Sequence, residues 1–136
     1  MIIVFSTYPD KENAEKAAEG LVEKDLAACV NILKIENSVY KWKGKIEKKP
    51  EYLLIMKTTR GAYPKLEAFI KKDHPDDVPE IIFFYVRGGN KEYIQWVNSV
   101  TFSKLLRVPL DLSATKRARR SLRTDIKAIK PRTSSR

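Results

Sequence analysis

The segment VYKWKGKIEKKPEYLLIMKT, residues 39–58, decides the fold, because it places a turn between two extended arms. Lys43 and Gly44 predict a two-residue turn, since glycine accepts a positive φ. Pro50 predicts an edge, bend or bulge in the second arm, because proline has no amide hydrogen for the ladder. From Gly44 to Thr58 the arm would extend about 45 Å, more than the roughly 34 Å diameter of a 100-residue domain. The hairpin is therefore predicted to project beyond its own domain.

A projecting hairpin leaves backbone edges and the side chains of Tyr40 and Trp42 without cover from their own subunit. Neighbouring copies in a symmetric assembly would cover them. We therefore predict a closed homo-oligomer with Tyr40 and Trp42 at its interface. An alternative is that both aromatic residues, with Tyr85, line a cleft between subunits that binds a small molecule, as in an enzyme or a sensor.

Outside the hairpin, segments with the apolar spacing of strands alternate with segments that have the apolar spacing of helices. The chain order is β-α-β-β-α-β followed by a C-terminal helix, which predicts an α+β, ferredoxin-like fold with its helices on one face of an antiparallel sheet. The predicted strands are residues 2–5, 27–33 continuing through 39–42, 46–58 and 81–86, and the predicted helices are residues 11–25, a segment built on Leu66, Phe69 and Ile70, and a segment after Asn90.

The net charge of +10 is concentrated at one end of the 136-residue chain. Residues 1–103 hold 16 Lys and Arg against 15 Asp and Glu, whereas residues 104–136 hold 11 Lys and Arg against two Asp. We predict a folded domain over residues 1–103 and a basic tail, disordered or partly helical, over residues 104–136. The tail supports an alternative function, a nucleic-acid-associated module that attracts phosphates.

Composition excludes several protein classes. No apolar run approaches the roughly 20 residues that a membrane helix needs, and residues 1–5 do not read as a secretory signal, so we expect a cytoplasmic protein without a membrane partner. Cys29 is the single cysteine and His74 the single histidine. Phosphate-binding loops and hydrolase motifs are missing from the sequence. We therefore expect no enzymatic activity and no obligatory cofactor.

The polar residues of the domain concentrate in residues 73–80, DHPDDVPE, hereafter the acidic loop. Four carboxylates surround the single imidazole there. Carboxylates suit hard cations and imidazole suits transition metals, so the loop is a candidate site for a divalent cation. The alternative is a solvated loop in which His74 caps the end of the preceding helix.

These segments together resemble the CutA divalent-cation tolerance proteins, and the resemblance is collinear over residues 2–100. It is carried by STYPD (residues 6–10), LAACVN (26–31), YKWKGKI (40–46), KTT (57–59) and HPDDVPEI (74–81).

The resemblance implies a homotrimer formed through the long hairpin, a role in tolerance of copper and other divalent metals, and no established reaction. In bacterial members, copper binding is associated with a cysteine that closes the first strand and a histidine pair before the proline. Ser6 and Asp73 stand at two of those positions in this sequence. The resemblance therefore implies Cu(II) or Zn(II) contacts from His74 and Asp73, with help from Asp76 and Asp77, and disfavours a sulfur-rich Cu(I) site.

Overall fold

The computed structural model describes residues 1–102, and the predicted basic tail lies outside them. Three helices and four strands follow the predicted order. They are β1 (Ile2–Tyr8), α1 (Lys11–Glu23), β2 (Cys29–Trp42), β3 (Lys45–Thr58), α2 (Tyr63–Asp73), β4 (Ile82–Tyr85) and α3 (Lys91–Val100).

The four strands form one antiparallel sheet in the order β2-β3-β1-β4. Ile2 and Val4 of β1 are fully buried in a core that includes Ala17 of α1 and Leu66 of α2. The intervening β1 residues are only half-buried, because successive side chains of a strand point to opposite faces. One face of the sheet therefore packs on helices and the other lacks a helical layer. The predicted ferredoxin-like α+β fold is confirmed.

Helix α1 begins at an Asp10 cap, whose carboxylate accepts the backbone N–H of Asn13 at 2.8 Å. This bond satisfies an amide that the first helical turn leaves without a partner, and it lowers the pKa of the Asp10 carboxyl. The helix ends at Glu23, two residues before the predicted end. Asp25 has φ of 58°, which is incompatible with a right-handed helix.

Strand β2 is continuous over Cys29–Trp42 and joins the two stretches that were predicted to be extended, residues 27–33 and 39–42. A register shift between Ile35 and Ser38 inserts an extra residue into β2 opposite Pro50 of β3. The bulge removes the need for a ladder hydrogen bond at the proline, which explains how β3 stays continuous. Of the edge, bend or bulge predicted at Pro50, the structure shows a bulge whose extra residue lies in β2, and the hairpin extends without a break.

The hairpin extends well beyond strand β1. Pairing of β1 with β3 ends at Tyr8 and Tyr52, but β2 and β3 remain paired as far as Trp42 and Lys45. From Glu51 to Lys45 the ribbon spans about 20 Å without a third strand. Gly44 closes the turn with φ of +78°, as predicted. Within residues 1–102, no helix is long and apolar enough to cross a membrane.

Candidate functional site

His74 lies directly after α2 and its ring is buried. Its Nε2 lies 2.6 Å from the carbonyl oxygen of Thr7, and the backbone N–H of Asp76 donates to its Nδ1 at 2.9 Å. A carbonyl oxygen only accepts, so Nε2 carries the hydrogen and Nδ1 keeps its lone pair. Both ring nitrogens therefore hold the acidic loop against the end of β1.

Asp73 and Tyr8 form a second link at the same end of the sheet. The Tyr8 hydroxyl donates to Oδ2 of Asp73 at 3.2 Å, and the Tyr8 and His74 rings lie 4.3 Å apart between centroids. Burial raises the pKa of the Tyr8 hydroxyl, and the charge and hydrogen bond of Asp73 raise it further. One carboxylate oxygen of Asp73 therefore accepts a hydrogen bond from the neutral phenol of Tyr8.

Asp76 and Asp77 are exposed carboxylates of the acidic loop. Asp76 Oδ2 lies 3.9 Å from His74 Nδ1, at the edge of ion-pair range. Within residues 1–102, no three His, Cys, Asp or Glu side chains converge on one point suitable for a metal. The four predicted metal contacts therefore lie in one segment, but their side chains are not arranged around a common point. A metal would reach His74 through Nδ1 only after the Asp76 N–H bond is broken.

A groove of about 1070 Å³ separates the acidic loop from the hairpin on the helix-free face of the sheet. Its apolar floor includes Phe5 and Leu53. The groove contains five carboxylates and one lysine, so its lining is strongly anionic. The charged residues are Glu47, Lys49, Glu51, Asp76, Asp77 and Glu80.

Tyr40 and Trp42 line this groove. Lys49 Nζ lies 5.7 Å from the Tyr40 ring centroid, within cation–π range. Tyr85, the third predicted cleft residue, is exposed but does not line the groove. Alternation along β4 explains this, since Ile82 and Phe84 pair with helix-free-face residues of β1 and Tyr85 points to the other side.

The helix-free face of the sheet is apolar and uncovered in the single subunit. Leu33 is 46% exposed, Ile82 52% and Phe84 47%. Leu33 lies on β2 and the other two lie on β4, and these are the two edge strands of the sheet. The apolar surface therefore crosses the sheet. Contiguous exposed apolar surface of this kind is typical of a protein interface.

The sequence pattern missed two groups of polar residues. Glu47 and Glu51 were not predicted as site residues, although their alternation with Lys48 and Pro50 already placed them on one face of β3. Cys29 was not predicted as a site residue either. It is partly exposed, and Lys57 Nζ lies 3.9 Å from its Sγ. Lys57 also donates to the side-chain oxygen of Asn31.

The family model described as CutA1 divalent ion tolerance protein matches residues 2–100. Divalent-cation tolerance protein CutA of Thermus thermophilus is 43% identical over 99 residues, which cover 73% of this chain and 96% of that protein. Human Protein CutA is 44% identical over 99 residues, 73% of this chain and 55% of that protein. The match therefore spans almost all of the bacterial relative and about half of the human one.

Solved structures give the same result. CutA1 from Pyrococcus horikoshii superposes with a TM-score of 0.72 at 39% identity and covers 76% of this chain and 100% of that one. The Thermus thermophilus protein superposes with a TM-score of 0.72 at 43% identity, over 75% of this chain and 100% of that one. With the family match over residues 2–100, these likenesses show that the chain belongs to the CutA1 divalent ion tolerance family.

Proposed function

We propose that this chain is a homotrimeric divalent-cation tolerance protein that binds cations weakly and catalyses no reaction. The observation that carries self-association is the uncovered apolar face of the sheet, with Leu33, Ile82 and Phe84 about half exposed, and three is the number of copies that the family resemblance implies. Burying apolar surface contributes about 25 cal/mol per Å². A subunit that leaves such a face in water would gain stability by associating with copies of itself.

The hairpin supports the same proposal. Val39 is 61% exposed, Trp42 60% and Ile46 72%, and both backbone edges of the ribbon beyond β1 lack a strand partner within the described chain. Exposed apolar strand edges favour pairing with other chains. A closed assembly satisfies these edges without leaving any subunit free to add further copies.

For the cation, we propose the acidic loop as the site, with Asp73, His74, Asp76 and Asp77 as contacts. The exposed carboxylates of Asp76 and Asp77 suit a hard or borderline divalent ion. His74 would join as a ligand of Cu(II) or Zn(II) by exchanging the Asp76 N–H bond for the metal. The cost of breaking that bond is consistent with weak, exchangeable binding.

The trimer is tested by sedimentation equilibrium of the full chain in the presence of EDTA. We expect a mass three times the 15.7 kDa of the chain. Phe84→Glu should dissociate it, because a charge would then lie in the apolar interface. Val22→Glu is the matched control, since Val22 is 43% exposed on α1 and should leave the mass unchanged. A wild-type monomer at micromolar concentration would refute the trimer.

The cation site is tested by calorimetric titration of Cu(II) and Zn(II) into the wild type and into Asp76→Asn/Asp77→Asn. We expect the double variant to lose most of the binding heat. Glu19→Gln/Glu23→Gln removes two exposed carboxylates of α1 and serves as the control. His74→Ala tests the imidazole, and an isotherm identical to that of the wild type would eliminate His74 as a ligand.

We also propose a cytoplasmic location. The names of similar proteins vary in this respect, since the Oryza sativa relative is described as chloroplastic and an Archaeoglobus fulgidus structure as periplasmic. Fractionation of cells that express the full chain, followed by immunodetection, tests the location directly.

A further inference from the structure

The groove between the hairpin and the acidic loop has carboxylates on two sides. The hairpin side contributes Glu47 and Glu51, and the acidic loop contributes Asp76, Asp77 and Glu80. The apolar floor of the sheet separates the two sides. Negative charge therefore lies on both sides of an apolar surface.

Most of these carboxylates have no cation beside them. Lys49 Nζ lies 4.0 Å from Oε1 of Glu51, but within the described residues 1–102 the side chains of Glu47, Asp77 and Glu80 belong to no ion pair. Five carboxylates and one lysine leave the lining with a formal charge of −4, although the whole chain carries +10. By charge complementarity, a ligand of this groove should be a cation.

Two aromatic rings of the hairpin add a second element of recognition. Tyr40 is 37% exposed and Trp42 is 60% exposed, and both line the groove. The faces of such rings attract ammonium groups within about 6 Å. Lys49 Nζ lies 5.7 Å from the Tyr40 centroid, and Lys43 Nζ lies 6.0 Å from the Trp42 centroid. The chain's own ammonium groups therefore already lie against both rings, and an ammonium ligand would meet the same chemistry.

The distribution of the carboxylates favours an elongated cation over a single metal ion in the groove as a whole. Within residues 1–102, no three His, Cys, Asp or Glu side chains converge on one point. A metal ion needs its ligands within about 2–2.6 Å, so it would use one side of the groove only. A linear molecule with separate ammonium groups would contact both sides, and its methylene groups would cover Phe5 and Leu53. The groove volume of about 1070 Å³ is ample for such a small molecule.

We propose that the groove binds a linear aliphatic polyamine, whose ammonium groups contact the carboxylates of both sides and whose methylene groups pack on the apolar floor. This ligand goes beyond the proposed divalent-cation site, although Asp76 and Asp77 belong to both. The groove must stay open when copies associate through the helix-free face, so the assembled protein is the form to test.

Calorimetric titration of spermidine into the assembled full chain, with EDTA present, tests the proposal. Spermidine carries ammonium groups at both ends of a methylene chain and one between them. We expect saturable binding that weakens as the salt concentration rises. Hexylamine has a single ammonium group and contacts one side only, so its Kd should be at least about tenfold higher.

Substitutions on each side of the groove measure its contribution separately. Glu47→Gln on the hairpin and Asp77→Asn in the acidic loop should each raise the Kd for spermidine about three- to fivefold. Together they should raise it about tenfold or more, because the two carboxylates contact different ammonium groups. Trp42→Ala should also weaken binding, and Trp42→Phe should retain most of it. Glu19→Gln/Glu23→Gln removes two exposed carboxylates of α1 and should leave the Kd unchanged.

Circular dichroism and sedimentation equilibrium check that each variant folds and assembles like the wild type, and the comparison of spermidine with hexylamine needs no variant. Absence of spermidine binding at millimolar concentration would overturn the proposal. Equal affinities for the two amines, or an unchanged Kd in Glu47→Gln/Asp77→Asn, would also overturn it. These results would leave the divalent-cation site intact, since Cu(II) and Zn(II) are titrated separately. A chain that binds spermidine but neither metal would support the polyamine and refute the metal site.

Discussion

Tyr8, the last residue of β1, donates its hydroxyl to Asp73, the last residue of α2, across 65 positions of sequence. Next to it, the Thr7 carbonyl accepts a hydrogen bond from Nε2 of the His74 ring. These two bonds fix the point at which the acidic loop leaves the helix. The conformation of the loop therefore depends on β1 as much as on its own residues.

Tyr8→Phe is predicted to lower the free energy of unfolding by about 1–2 kcal/mol at neutral pH, because a part-buried hydrogen bond to a carboxylate is lost. Urea denaturation at fixed protein concentration measures this change, since stability of an assembly depends on concentration. An unchanged midpoint would show that the Tyr8 bond does not stabilise the fold.

Alkaline pH provides a second prediction for the tyrosines. Burial raises the pKa of Tyr8, and burial followed by the hydrogen bond to Glu67 raises the pKa of Tyr63 to about 12. An unfolded tyrosine titrates near 10. The two tyrosines should therefore leave the free energy of unfolding unchanged below pH 10. Above pH 10 they should lower it, since the unfolded chain releases these protons first.

Absorbance at 295 nm against pH follows tyrosinate formation and checks this order. Native protein should retain a late-titrating fraction that disappears in urea. Tyr8→Phe should reduce the late fraction and make the alkaline loss of stability shallower. Complete native titration near pH 10 would contradict the prediction.

His74→Ala is predicted to lower the free energy of unfolding by about 3 kcal/mol. The substitution removes a buried ring and leaves the Thr7 carbonyl and the Asp76 N–H without their partner. Hydrogen exchange should show faster exchange of the Asp76 amide. Asp77→Asn is the matched control in the same loop, and it should change neither quantity. Normal stability of His74→Ala would indicate that the ring does not hold the loop.

Ser6→Ala and Thr58→Val are predicted to shift stability in opposite directions. Within residues 1–102, the buried Ser6 Oγ has no hydrogen-bond partner, so its removal should stabilise the fold by about 1 kcal/mol. Thr58 Oγ1 donates to the Leu26 carbonyl at 2.7 Å, so Thr58→Val should destabilise by about 1 kcal/mol. Thermal unfolding of both variants tests the contrast, and shifts of the same sign would contradict it.

Gly20 and Phe69 are predicted to be energetically coupled. A Cβ at Gly20 would lie 2.8 Å from the Phe69 ring tip, so the ring must move to admit alanine. Gly20→Ala should be close to neutral in the wild type but stabilising by about 1 kcal/mol in Phe69→Leu, where the helix propensity of alanine is realised. A double-mutant cycle measures the coupling, with Glu19→Ala as an additive control. A coupling of zero would show that the two helices can separate freely.

Most of the fold could be predicted from the sequence, because the local periodicity of apolar residues indicates where strands and helices form. The start of α1, the helix after Asn90 and the Lys43-Gly44 turn are all where the pattern placed them. The hairpin was predicted to project, and pairing of β1 ends well short of its tip. Element boundaries differed at the end of α1 and in the middle of β2, where positive φ and a bulge are determined by the surrounding chain.

The candidate site was less predictable. The acidic loop was evident from its composition, but Glu47 and Glu51 join it only because the sheet brings β3 opposite residues 75–80. His74 was predicted to be either a metal ligand or a cap of the preceding helix. It is the C-cap residue of α2, and its backbone N–H donates to the Ile70 carbonyl. Its ring also bonds to Thr7, 67 residues earlier, and nothing in the local sequence specifies that partner.

The sequence by itself determined the family, the order of strands and helices, and a ribbon longer than its domain, since these depend on local spacing and residue type. The tertiary structure alone decided which groups bind the two ring nitrogens of His74 and which face of the sheet stays uncovered. The physical reason is that hydrogen bonding and burial depend on contacts between distant segments. Such contacts exist only once β1, α2 and the hairpin have come together.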